Sequence, residues 1–288
     1  MEPRTRNQLS RIKVASVVIA VGCAIAVAGS GAAQAQPLQK GKMIVYRAGE
    51  KVPQSELKDL GPPEGLGGIV LEGDPKISAR IDYAAGNLLA GVFQATSGTV
   101  LIHFPFSEHA TITSGEVDLT DEFGNSAHLG EGDSYFITQG SVILWEVRGA
   151  FVQKTFFNRT TQDDPPALMV IYKKRDAVAQ SELTDLGPPE GLGGTVVSGD
   201  PKIAARVDYG DGPATAGVFQ ATRGDVLIHF PFTEHATVIE GAVRLTDETG
   251  QTATLGRGDS YLIKQDSSIF WQVARSFVQK SFFNVVEE

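Results

Sequence analysis

His103 and Glu108 place an imidazole and a carboxylate five positions apart, and His229 and Glu234 repeat the arrangement later in the chain. These residue types can ligate a divalent ion or move a proton. An ion such as Mn or Zn is normally held at about 2 Å by at least three protein donors. Two donors bind weakly, so the expectation is no metal cofactor, with His103/Glu108 and His229/Glu234 as an alternative weak site for Mn or another divalent ion. His109 and His235 directly follow the two glutamates. Neighbouring residues on a strand point to opposite faces, so each is expected to sit half-exposed rather than to join its glutamate. The apolar stripe Val226, Ile228, Phe230 and Phe232 likewise puts His229 on the other face, and His128 reads as surface. Trp145, Trp271, Tyr135, Tyr261, Gln139 and Gln265 are further ligand-binding candidates. The tryptophans could stack on a planar ligand or equally fill a core, and the others matter only if their strands turn them inward. No Ser-His-Asp or Cys-His constellation can be assembled, so no catalytic residue is named.

These candidates lie on a duplicated scaffold. Ser55 recurs as Ser181 and Phe157 as Phe283, a constant offset of 126 with no gap between. A tandem pair of whole domains follows, not a solenoid of small units. In the second copy, short runs rich in Val, Ile, Thr and Phe predict strands over 202–209, 216–222, 225–232, 235–240, 242–247, 252–255, 260–264, 268–273 and 277–283. Glycine, aspartate and asparagine bound them, and helical periodicity is absent. The class is all-β, a sandwich or barrel. The boundaries are a lead-in over 36–42, a first domain over 43–159, a polar linker with two prolines over 160–168 and a second domain over 169–288. The G-P-P-E-G-L-G-G stretches at 61–68 and 187–194 precede strand-like sequence, not a helix, so they read as tight surface turns rather than phosphate cradles.

Arg4, Arg6, Arg11 and Lys13 precede an apolar run from Val14 to Gly29 and an A-x-A site at Ala33–Ala35. This is the pattern of a cleavable signal peptide over 1–35, and it predicts a periplasmic or secreted protein. Cys23, the single cysteine, lies inside that segment. Its surroundings offer lipoprotein processing as a weaker alternative. Cleavage would take the formal net charge from −9 to −12. An acidic chain without a basic run repels nucleic acid and anionic membranes, which excludes both as partners of the mature protein. A small-molecule ligand is the expected partner, with homo-oligomerisation through sheet packing as a further one.

The run F-P-x-x-E-x-x-x-V-x-E-G-x-V-x-L-T-D-E-x-G from Phe230, then L-G-x-G-D-S-Y-x-I from Leu255, then Trp271, resembles a cupin. More narrowly it resembles the (S)-ureidoglycine aminohydrolase-type family, and the first half repeats these features from Phe104 to Trp145. The resemblance implies two tandem jelly-roll barrels, a bicupin. It also implies a metal set of two His and a Glu on a first motif and one His on a second. Here Leu101 and Leu227 stand at the first His, while Ile143 and Ile269 stand at the last. A small-molecule-binding or structural role is therefore the leading expectation. The alternative is a metal-assisted aminohydrolase using Glu108 or Glu234.

Overall fold

A computed structural model describes residues 40–163 and 165–287. The signal-peptide segment, most of the lead-in, Cys23 and Asp164 lie outside the described residues. The first half forms β1 (Met43–Tyr46), β2 (Lys58–Gly61), β3 (Gly68–Gly73), β4 (Ile77–Ala85), β5 (Leu88–His103), β6 (Ser107–Asp121), β7 (Ser126–Leu129), β8 (Ser134–Ile137) and β9 (Val142–Arg159). The second forms β10 (Met169–Tyr172), β11 (Thr184–Gly187), β12 (Gly194–Gly199), β13 (Ile203–Asp211), β14 (Ala214–His229), β15 (Thr233–Thr246), β16 (Thr252–Gly256), β17 (Ser260–Ile263) and β18 (Ser268–Val285). Two nine-stranded sheets result, each curled around its own apolar core.

The sequence predicts breaks at Gly224, Gly241 and near Arg275. The chain instead runs through all three as the long strands β14, β15 and β18, with register shifts marking bulges. A bulge needs an extra residue in an unusual conformation, and glycine supplies it. Gly241 has φ of 79°, and a Cβ there would lie 2.3 Å from the carbonyl oxygen of Phe277. The glycine thus bends a continuous strand around the barrel rather than ending it. The two G-P-P-E-G-L-G-G stretches each contain one 3-10 turn, Pro63–Leu66 and Pro189–Leu192, closed by a left-handed glycine.

The first strand of each half pairs with the opposite half. Met43 to Tyr46 lie antiparallel to Ile263 to Ser260, and Met169 to Tyr172 lie antiparallel to Ile137 to Ser134. Each barrel therefore borrows an edge strand from its twin, which pairs backbone groups that would otherwise form an open edge. The faces between the halves make a third core shared by both, including Leu88, Phe136 and Phe157 of one half and Leu262, Phe283 and Val285 of the other. Phe136 and Phe283 approach with ring centroids 5.0 Å apart. The run Phe277–Phe283 is covered from Val278 onward within the chain itself.

His109 and His235 meet at the centre of this interface, each almost wholly buried rather than half-exposed as their sequence position predicts. Strand alternation explains both halves of that result. In β6 the even residues Ala110 and Ile112 enter the barrel core, so His109 and Thr111 face the other domain. What the sequence hides is that this second face is also covered. The two Nδ1 atoms lie 2.8 Å apart. Each Nε2 reaches a hydroxyl of the opposite half, Ser281 at 3.0 Å from His109 and Thr155 at 3.2 Å from His235. Ser134 and Ser260 extend the chain at its two ends. One Nδ1–H donates and the other Nδ1 accepts, so the hydrogen bonds run in one direction through a nearly symmetric frame.

Burial disfavours the imidazolium, and it pushes His109 well below the ordinary histidine value and His235 down to about 3. The unfolded chain protonates these rings near pH 6.5, but the folded chain does not. Stability is therefore fully present above about pH 6.5 and falls as the pH drops, by about 1.4 kcal/mol per pH unit for each ring. Urea unfolding between pH 7 and pH 5 should show this loss, and the double variant His109→Gln/His235→Gln should flatten the slope. An unchanged slope would place the acid sensitivity elsewhere.

Candidate functional site in the barrel interior

Each barrel is closed by strands that present one face inward. In β9 the inward set contains Trp145, Val147, Val152 and Phe156, and alternation adds Lys154 and Asn158 to it. In β6 the inward set is Glu108, Ala110 and Ile112, and β8 contributes Tyr135. Register makes Glu108 the direct partner of Asn158 across β6 and β9. Near this point Lys154 donates to Oε1 of Glu108, and the Tyr135 hydroxyl donates to the same oxygen at 2.5 Å. Lys154 Nζ also lies 2.7 Å from the Tyr135 hydroxyl oxygen. The second barrel repeats the triad with Glu234, Tyr261 and Lys280. The tyrosine donates to Glu234 at 2.6 Å, and Lys280 reaches the phenol oxygen at 2.8 Å.

The ion pairs are deeply buried, with Lys154 and Glu108 side chains 7% and 2% exposed. Aromatic faces surround each ammonium. Lys154 Nζ lies 5.0 Å from the Trp145 ring and 5.2 Å from that of Phe93, and Lys280 lies 5.2 Å from Trp271 and from Phe219. Rings with negative faces stabilise a cation that has lost its water. Burial nonetheless pushes both ammonium groups below the ordinary lysine value, against the opposing pull of the glutamate. Burial, reinforced by the neighbouring carboxylate, lifts the Tyr135 and Tyr261 hydroxyls well above their usual value, so both stay protonated as donors.

The structure separates several of the other candidates. His103 and His229 lie on exposed outer positions, whereas Glu108 and Glu234 point into the barrels, so neither His–Glu pair converges. His229 touches Ser268 at 3.4 Å, and His128 pairs with Asp118 at 2.7 Å on the surface. Gln139 and Gln265 face chain segments instead of the interior. Gln139 binds the backbone of Thr161, and Gln265 accepts from the backbone of Glu287 at 2.6 Å. Trp145 and Trp271 are inside, each 3% exposed, but their Nε1 atoms have no hydrogen-bond partner. Oδ1 of Asn158 and of Asn284 is likewise unpartnered. An orphaned buried group costs about 1–3 kcal/mol, and the same two orphans recur in both barrels.

Among the described residues, no three His, Cys, Asp or Glu side chains come together around a point that could hold a metal ion. The donors do not fit the divalent ion that the cupin motif implies. Where Glu108 and Glu234 offer an oxygen, a lysine ammonium already supplies the opposing charge, and no imidazole stands beside it. Both glutamates and both tyrosines are legible in the motif, whereas Lys154, Lys280, Asn158 and Asn284 lie outside it. The available signal was F-V-Q-K-[TS]-F-F-N, where lysine falls on the same alternating set as Val152 and Phe156. A strand can bury such a lysine only if a countercharge meets it.

The sequence matches the family model for the EutQ-like cupin domain over residues 83–156 and again over 209–282. The chain belongs to that family, as a bicupin. A solved protein of unknown function from Pseudomonas syringae pv. tomato, assigned to the DUF861 family, is similar in fold. It is 20% identical with a TM-score of 0.66, and the match covers 86% of this chain and all, 100%, of that one. A putative glyoxylate-induced protein from Pseudomonas aeruginosa is 13% identical with a TM-score of 0.49, covering 90% and 94% of the two chains. Oxalate decarboxylase from Bacillus subtilis is more distant, at 12% identity and a TM-score of 0.38 over 81% of this chain and 76% of that one. No curated protein matches the sequence.

Removing one member of a buried pair leaves the other charge uncompensated, at a cost of about 3–5 kcal/mol. Lys154→Met should therefore lower the unfolding free energy by that order in urea titrations. Adding Glu108→Gln should recover much of the loss, because the stranded charge is then gone. A Lys154→Met variant as stable as the parent would show that the pair is not formed.

Proposed function

We propose that this bicupin is exported and works without a metal, holding a small polar molecule inside each barrel rather than transforming it. The observation that carries the reading is the lysine ammonium on the glutamate that would otherwise ligate an ion. It neutralises the carboxylate with a group that cannot exchange, and it leaves no open coordination position for a substrate. The unpartnered indole N–H and asparagine oxygen in each barrel support a guest with an acceptor for the first and a donor for the second. Export rests on the basic, apolar and A-x-A segments at the start of the sequence. The finer kinship to ureidoglycine aminohydrolases rests on the motif around Glu234. In this reading that kinship is one of fold and ancestry, without the ammonia-releasing chemistry.

Elemental analysis of the purified mature protein tests the proposal. Manganese, zinc, nickel and iron should all be substoichiometric, and Glu108→Ala/Glu234→Ala should not change them. One equivalent of any of these per barrel, lost in that double variant, would favour the metal-dependent aminohydrolase instead.

A further inference from the structure

The duplicated halves differ most in charge at one place on the outer surface. A cleft of about 560 Å³ in the second half is lined by Arg175, Arg244, Arg257 and Arg275 with a single acidic residue, Asp225. The equivalent positions of the first half, at the constant offset, hold Glu116, Asp118, Glu131 and Glu146 with a single arginine, Arg148. Conservation between the halves elsewhere is close, so the inversion is local. It is also against the trend of a chain with a formal net charge of −9.

Arg257 is neutralised by a paired contact to Glu240 at the end of the cleft, its Nε 2.9 Å from Oε2. Arg175, Arg244 and Arg275 are exposed and form no ion pair among the described residues, though Glu240 also feels the charge of Arg175 at longer range. Arg175 carries the strongest signal. Its φ is 73°, in the left-handed region that disfavours a side chain, and its equivalent in the first half is Gly49 with φ of 81°. Both residues use their backbone N–H in the same way, Gly49 donating to Thr113 at 2.9 Å and Arg175 to Ile239 at 3.0 Å. The backbone position is thus made for glycine, and the second copy holds an arginine there in strain. Residues kept in costly conformations cluster at functional sites. Asp266, at φ of 65° where the first half has Gly140, is the other such position among the described residues and lies outside the cleft. It is therefore the position of Arg175 among the other arginines that ties it to this site. Small residues, Gly241, Ala242 and Ala274, line the cleft beside these arginines and leave room for a ligand.

We propose that this cleft binds a multiply charged oxyanion, carboxylate or phosphate in chemistry, and that the first half has no such site. Guanidinium groups present paired N–H donors that match the oxygens of either group. Arg175, Arg244 and Arg275 supply the charge, while Arg257 is held in place by Glu240. The site is independent of the barrel interiors and of whatever they hold.

Isothermal titration of the full mature chain with inorganic pyrophosphate and, separately, with citrate tests this and tells the phosphate from the carboxylate preference. One equivalent of at least one probe should bind, weakening with added salt. The variant Arg175→Gly/Arg275→Gly, which installs the first-half residues, should bind at least about tenfold more weakly. Arg175→Gly alone should melt no lower than the parent, because it relieves the left-handed strain, so its loss of affinity would not reflect unfolding. Absence of binding by both probes, or equal affinity in the double variant, would overturn the proposal. So would concentration-dependent self-association abolished by the double variant, since the cleft would then belong to the acidic face of a second copy.

Discussion

A charge taken out of water must meet its counterpart, and in this protein that requirement is answered by a lysine. Glu108 and Glu234 lie inside closed barrels, where an unpaired carboxylate is among the costliest groups a fold can hold. Lys154 and Lys280 reach them from the neighbouring inner strands, with a tyrosine hydroxyl donating to the same oxygen. Aromatic rings close the remaining directions around the ammonium. The arrangement balances each carboxylate with an ammonium from the chain itself. It also fixes the inward face of β9 and of β18, because a one-residue slip would turn both lysines toward the other domain.

The second organising feature is the way the halves complete each other. Exchange of β1 and β10 makes each barrel depend on a strand from the other half, and the shared core gives the pair one continuous interior. The residues at its centre come from equivalent positions, yet two imidazoles facing through Nδ1 cannot both donate. The hydrogen-bond chain from Ser134 to Ser260 therefore has a direction even though its heavy atoms are nearly symmetric. A duplication inside one chain permits such asymmetry to become fixed by sequence. The arginine cleft shows the same freedom on the surface, where Arg175 replaces Gly49 at one conformation of the backbone.

Much of this architecture is legible in the residues. The constant offset identifies the duplication, and short β-branched and aromatic runs identify an all-β fold. The glycines are less transparent, since Gly241 signals a bend equally well as a turn or as a bulge, and only pairing with Phe277 and Val278 distinguishes them. Strand exchange leaves no local mark at all, because Met43–Tyr46 is an ordinary edge strand whichever sheet it joins. The site is half legible. Glu108, Tyr135 and Trp145 can be named from the motif, but Lys154 lies far along the chain and is paired through β6 and β9. His109 looks like a half-exposed strand residue because alternation describes one domain, and the face it leaves outside is covered by the other.

The species that faces Oε1 of Glu108 and Glu234 decides what each barrel can do. A crystal structure at atomic resolution, from protein purified without chelators, shows it directly. The lysine nitrogen should lie at hydrogen-bond distance from the carboxylate and the tyrosine hydroxyl in both barrels. A lysine swung aside, with a metal about 2 Å from the glutamate oxygen, would contradict the account.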